Sequence, residues 1–168
     1  MNYSTDRRWS DLLIPAIKQV VGPLLLETSS FEVDTKQATD LVVFRGRDQT
    51  IASRCRRYGY AEKYPYEFTI RSARDSGATT ELEKIVNGFG DWMFYGHASA
   101  TGVSFDRWMV INLHHFRAAL ISHSMQIVYQ QKSNQDGTHF VSFDVRSFPE
   151  NPAILIASSH PVLETCEA

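Results

Sequence analysis

Residues 39–57 constrain this chain more than any other segment. Asp40 opens the apolar run Leu41-Val42-Val43-Phe44, a polar turn follows at Gly46-Arg47-Asp48-Gln49, and the segment 50–56 then alternates with cations. Successive side chains on a strand point to opposite faces, so Arg54 and Arg56 share one face while Cys55 and Arg57 share the other. Two short extended runs joined by a turn predict an antiparallel pair.

The chain has 168 residues, 43% of them apolar and 21% charged, which predicts a single globular domain, 1–168, with loose termini at 1–8 and 158–168. A net charge of −2 argues against binding nucleic acid through bulk charge. The local balance differs, because Arg45, Arg47, Arg54, Arg56 and Arg57 fall close together. Cys55 and Cys166 are far apart and form no CxxC, so neither a disulfide framework nor a structural zinc site is expected. The first residues lack the apolar core of a signal peptide, and runs such as Leu24-Leu25-Leu26 are too short to span a membrane. A cytoplasmic protein without a membrane partner is the expectation.

Trp9, Leu12, Leu13, Ala16, Ile17, Val20 and Val21 recur at helical spacing, with Pro15 bending or restarting the helix and Gly22-Pro23 ending it. Leu24-Leu25-Leu26-Glu27 reads as a short second turn, and 28–37 as loop. The segment 67–72 alternates strictly: Phe68 and Ile70 face one way, and Glu67, Thr69 and Arg71 the other. Thr79 or Thr80 caps a helix that stops near Gly88 or Gly90. Strands follow over 92–95 and 108–113, then a helix from Leu113 or His114. A hairpin turns at Asn134-Gln135-Asp136-Gly137, and 154–157 is one last short strand. This order predicts an α/β or α+β fold, a mixed central sheet flanked by helices with a C-terminal β-hairpin.

Asp40 is the first chemical candidate, since a carboxylate at a strand start suits a hard divalent cation that activates water. It equally suits a strand-edge or capping aspartate. Glu27, Glu32, Asp34 and Glu67 are candidates for a second metal ligand, each of them also an ordinary surface residue type. Arg54 and Arg56, as paired guanidinium groups, suit phosphate recognition, or else block edge-to-edge association of an exposed strand. Tyr58, Tyr60, Tyr64 and Tyr66 follow directly, and tyrosines beside cations can stack on bases. The run Gly88-Phe89-Gly90-Asp91-Trp92-Met93-Phe94-Tyr95-Gly96-His97 reads as a helix stop and a core strand, with a pocket wall ending in His97 as the other reading. No HExxH, GxSxG, P-loop or GxGxxG occurs, and the adjacent His114 and His115 lack the spacing of a helical zinc pair.

On Asp40, the basic strand and the order of one helix then three strands, the segment from Trp9 to Leu120 resembles the PD-(D/E)XK, or restriction-endonuclease-like, nuclease superfamily. Through Tyr66-Glu67-Phe68-Thr69-Ile70-Arg71 and the run 90–97 it is also similar to proteins encoded by phages and prophages. The first resemblance implies a restriction-endonuclease-like core and a Mg2+- or Mn2+-dependent nuclease. Asp40 would hold the metal with Glu27, matching the family's helical glutamate, or with Glu67. Arg54 and Arg56 would stand at the catalytic phosphate, and Arg45, Arg47, Arg57, Tyr58 and Tyr60 on the nucleic acid. The family's Glu-x-Lys pair falls on Ala52-Ser53-Arg54 or Arg54-Cys55-Arg56, neither of which holds a carboxylate. Arginine cannot act as a base there. The alternative expectation is therefore a non-catalytic phage protein that binds and inhibits a host nuclease or defence protein.

Overall fold

The computed structural model describes residues 8–28, 41–43, 49–75 and 77–161. Residues 8–11 form a helical turn, and α1 (Ile14–Val21) starts afresh with Pro15 in its first two positions, where a missing N–H breaks no helical bond. Gly22 caps α1, and a 3-10 turn over Gly22–Leu25 leads into β1 (Leu26–Thr28). β1 pairs antiparallel with β2 (Leu41–Val43), with Glu27 opposite Val42. Glu27 thus lies on a strand, where a helical turn was expected; past Pro23 the chain enters the ladder with β2.

The expected pairing of the 41–44 and 50–56 strands is not what forms. β3 (Ile51–Arg56) runs parallel to β5 (Trp92–Ala98), with Ile51 opposite Trp92 and Arg56 opposite His97. A clamp at the strand starts explains the choice. The Asp91 carboxylate accepts the Thr50 amide at 2.9 Å and the Thr50 hydroxyl at 2.8 Å, while the Asp91 and Trp92 amides each donate to the Thr50 carbonyl at 3.1 Å. The two bonds from Thr50 to the carboxylate, with a further one from His114, pull the Asp91 pKa down to about 2.

Besides the β1-β2 pair, the described strands form two larger sheets. The first, ordered β3-β5-β6-β9 with β6 at Phe105–Asn112 and β9 at Leu155–Ser158, is mixed: only β3 and β5 are parallel. The second is antiparallel, ordered β4-β8-β7, with β4 at Glu67–Arg74, β7 at Tyr129–Ser133 and β8 at Thr138–Asp144. The hairpin is as expected, closed by the Asn134 amide on the Thr138 carbonyl at 2.9 Å with Gly137 at φ 72°. The helices α2 (Glu81–Val86) and α3 (Leu113–Ser122) complete a mixed α/β architecture of α+β type. Among the described residues no helix is long and apolar enough to cross a membrane.

The alternation of β4 and β5 sorts the core. Met93 and Tyr95 of β5 face the main core with Phe68 and Ile70 of β4, while Phe94 turns to the opposite face and meets Ile17 and Val21 of α1. Cys55 packs on this α1 side, where burial pushes its thiol up to about 12. The centre of the main core is a knot of Phe68, Phe116, Phe143 and Phe148, each pair of rings between 5.3 and 6.2 Å apart. It joins β4, α3 and β8 to the segment just past the 3-10 turn Val145–Ser147. α2 is short, and its ends are closed from outside its own ladder. Thr80 and Glu83 form a capping box at its start, and Arg117 of α3 donates to the carbonyls of Ile85, Phe89 and Gly90 at its end.

Phe68 is fully buried and touches all three other rings of the knot. Phe68→Ala is expected to lower stability by about 3–5 kcal/mol, as phenylalanine-to-alanine changes in cores do. Urea unfolding followed by circular dichroism measures this; a loss below about 1 kcal/mol would show that the knot does not hold the second sheet.

Candidate functional site

The polar face of β4 crosses the open side of β3 and brings the arginine pair to a single hydroxyl. Thr69 Oγ1 accepts from Arg54 Nε at 3.1 Å and from Arg56 Nη2 at 2.8 Å. Both lone pairs of the hydroxyl are then used, so its own hydrogen must go to the third neighbour, Tyr95 Oη, at 3.4 Å. Tyr95 Oη also accepts from Arg56 Nε at 3.2 Å. Its proton is therefore directed away from this network.

Arg56, Thr69 and Tyr95 form one wall of a cleft of about 110 Å³. Arg56, Thr69, Tyr95 and His97 line it beside Glu67, and Lys132 and Asn134 of the hairpin line it with Tyr60, Tyr64 and Phe140. Glu67 accepts from Lys132 Nζ at 2.8 Å and from the Ser142 hydroxyl. Lys132 also stands 4.6 Å from the centre of the Tyr64 ring. Tyr60 and Tyr64 stack on each other, centroids 6.2 Å apart and planes 20° from parallel. The Arg56 guanidinium lies 5.1 Å from the Phe140 ring centre and 6.0 Å from that of Tyr60.

The charges do not balance. Arg54 is paired with Glu81 of α2 at 3.0 Å, and the same carboxylate oxygen accepts the Arg71 amide at 3.2 Å. Burial pushes the Arg54 pKa down while Glu81 opposes the shift, and the guanidinium stays charged. Lys132 is paired with Glu67. Among the described residues Arg56 meets no carboxylate; its partners are the two hydroxyls and the aromatic faces. His97 is 3% exposed, and its Nδ1 is buried without a hydrogen-bond partner. Burial, and then the charges of Arg56 and Arg107, hold its pKa down to about 4, so the ring is neutral at pH 7. Among the described residues Arg71 Nε, on the same face of β4 as Thr69, is the other buried side-chain atom without a partner. Gly96 sits between Tyr95 and His97, and a Cβ there would lie 2.6 Å from Phe105 Cδ1 and 2.7 Å from Phe94 Cε1.

The residues expected at the site are dispersed by the fold. Arg56, Tyr60 and Glu67 meet in the cleft. Arg54 stands behind them on Thr69 and Glu81. Arg57 points the other way, as the alternation of β3 requires, and covers the Trp9 ring at 4.7 Å. Tyr58 is 63% exposed and lines no part of the cleft. Asp40, Arg45, Arg47, Glu32 and Asp34 lie outside the described residues. Thr69, Tyr95, Lys132, Asn134 and Phe140 were not singled out as ligand-binding groups from sequence. The alternation of β4 already placed Thr69 beside Glu67, but no local pattern marks a hairpin lysine or asparagine.

A bound Mg2+ or Mn2+ needs oxygen ligands gathered at one point. Among the described residues no three His, Cys, Asp or Glu side chains come together in that way. Glu67 already holds an ammonium group and a hydroxyl. Asp40, on which the expected metal site depends, lies outside the described residues. Comparison of the chain with protein-family models, with curated proteins and with solved structures gives no significant match.

Glu81 neutralises a guanidinium that is only 16% exposed. Glu81→Ala is expected to cost about 2–4 kcal/mol, because it leaves a nearly buried charge unpaired. Thermal unfolding tests this, and a change within about 0.5 kcal/mol would show that solvent replaces the carboxylate.

Proposed function

We propose that this protein binds single-stranded nucleic acid, with Arg56 as the phosphate anchor and Tyr60 and Tyr64 as the stacking surface for bases. One observation carries the proposal: a guanidinium that meets no carboxylate among the described residues lies in a cleft beside two stacked tyrosines. An anion suits such a wall, and a planar group suits the ring faces. Together these describe a nucleotide better than a carboxylate metabolite, which has no use for the stack. Tyr60 is 46% exposed, so a base can reach it. Bases in a duplex are already stacked on one another, whereas those of a single strand have free faces. This is the binding half of what the PD-(D/E)XK resemblance implies. Its catalytic half would depend on Asp40 and a metal, and binding through the cleft requires neither.

The test is fluorescence anisotropy with an internally labelled oligothymidylate, with salt varied. Arg56→Ala is expected to weaken binding by about tenfold or more and to reduce the salt slope by about 0.7, the value of one lost phosphate contact on a single strand. Arg56→Lys keeps the charge without the planar fork and should fall between the two. Binding is expected to persist in excess chelator. Affinity unaffected by Arg56→Ala, or lost on chelation, would refute this assignment of the cleft.

A further inference from the structure

We infer that the cleft recognises a terminal phosphomonoester, at the end of a strand or on a free nucleotide, through the recessed ring of His97 together with Arg56. The inference rests on the nucleic-acid reading above and narrows its ligand. Depth carries it. His97 and Tyr95 are each 3% exposed and Thr69 is 4% exposed, so a ligand must enter the cleft to reach them. An internal phosphodiester carries sugar on both sides of its phosphorus and can only lie across the opening. A terminal phosphate has one ester substituent, and its free oxygens can lead.

The donor inventory fits that group. A phosphomonoester bears about −1.5 to −2 charges and three strong acceptor oxygens, whereas a diester bears one charge. His97 Nδ1 is buried and without a partner, and a buried ring nitrogen left so is unfavourable unless something fills the place. The His97 ring lines the cleft, and the one nitrogen that carries a proton in the neutral ring can donate to a phosphate oxygen. The Tyr95 hydroxyl, having accepted from Thr69 and Arg56, has its proton to give. Arg56 supplies a charge that no carboxylate among the described residues cancels. Asn134 is exposed at the cleft wall, where its amide can reach an ester or sugar oxygen. A volume of about 110 Å³ accommodates one such group and leaves the attached base to the tyrosines at the rim.

The experiment compares four internally labelled forms of one oligothymidylate about ten nucleotides long, a span such sites cover. One bears a 5′-phosphate, one a 3′-phosphate, one hydroxyls at both ends, and one is circular. Thymidine monophosphate and thymidine serve as unlabelled competitors. The expected result is that one phosphorylated form binds at least about tenfold tighter than the hydroxyl-ended and circular forms, the worth of one hydrogen bond to a charged group. Thymidine monophosphate should displace it at concentrations where thymidine does not. Which end is preferred tells a 5′ from a 3′ site. Equal affinity for all four forms would overturn the inference and leave single-strand binding standing. Binding of none would remove both.

His97→Gln should reduce the preference for the phosphorylated end to about twofold or less. Its folding is checked by thermal unfolding, since the ring is buried. Asn134→Ala, at an exposed hairpin position, should reduce the preference less. Full preference retained in a folded His97→Gln protein would refute the role of that ring.

Discussion

The alternation of one strand, β4, holds this molecule together and makes its cleft. Its even positions, Phe68 and Ile70, are fully buried, and Phe68, with Phe143 of β8, is a ring through which the second sheet joins α3. Its odd positions, Glu67, Thr69 and Arg71, turn to the seam with β3 and meet the arginines and the hairpin lysine. Because the side-chain period of a strand is two, these roles cannot be separated. A slip of one residue would put Thr69 into the phenylalanine knot and Phe68 against two guanidinium groups.

Polarity then spreads from a single hydroxyl. Thr69 accepts twice and so must donate once; Tyr95 accepts twice and so turns its own proton elsewhere. The order of donors and acceptors is imposed from the arginines outward, without any charged group other than Arg54 and Arg56. Glu81 is essential to this order although it lies outside the cleft. By neutralising Arg54 it lets two guanidinium groups share one oxygen. The surplus charge is thereby left on Arg56, the member of the pair that faces the cleft.

Much of this could be read from local sequence. The strict alternation of 67–72, the Thr80 cap, the restart at Pro15 and the turn at Asn134-Gln135-Asp136-Gly137 all rest on interactions within a few residues, and all appear where expected. The partner of β3 did not, because its clamp joins Thr50 to Asp91, 41 residues apart in sequence. The shared face of Arg54 and Arg56 was legible for the same reason as β4, but what that face meets belongs to tertiary structure. The run 88–97 admitted two readings, core strand or pocket wall, and both hold. Phe94 packs against α1, while Tyr95 and His97 line the cleft. Asp40, on which the nuclease resemblance chiefly depended, lies outside the described residues.

Gly96 has a consequence for how such a protein can change over time. The position has no room even for a methyl group, because the rings of Phe94 and Phe105 fill it from the α1 side. A side chain there would press β5 away from those rings, toward the opposite face, and carry Tyr95 and His97 along with it. Drift at this one position would therefore disturb both faces of the sheet at once. Diversification of the cleft is correspondingly easier at the hairpin residues Lys132 and Asn134, whose neighbours are exposed, than along β5. Variation in ligand preference among descendants of this chain should therefore concentrate in the hairpin, with the buried end of the cleft held fixed by packing.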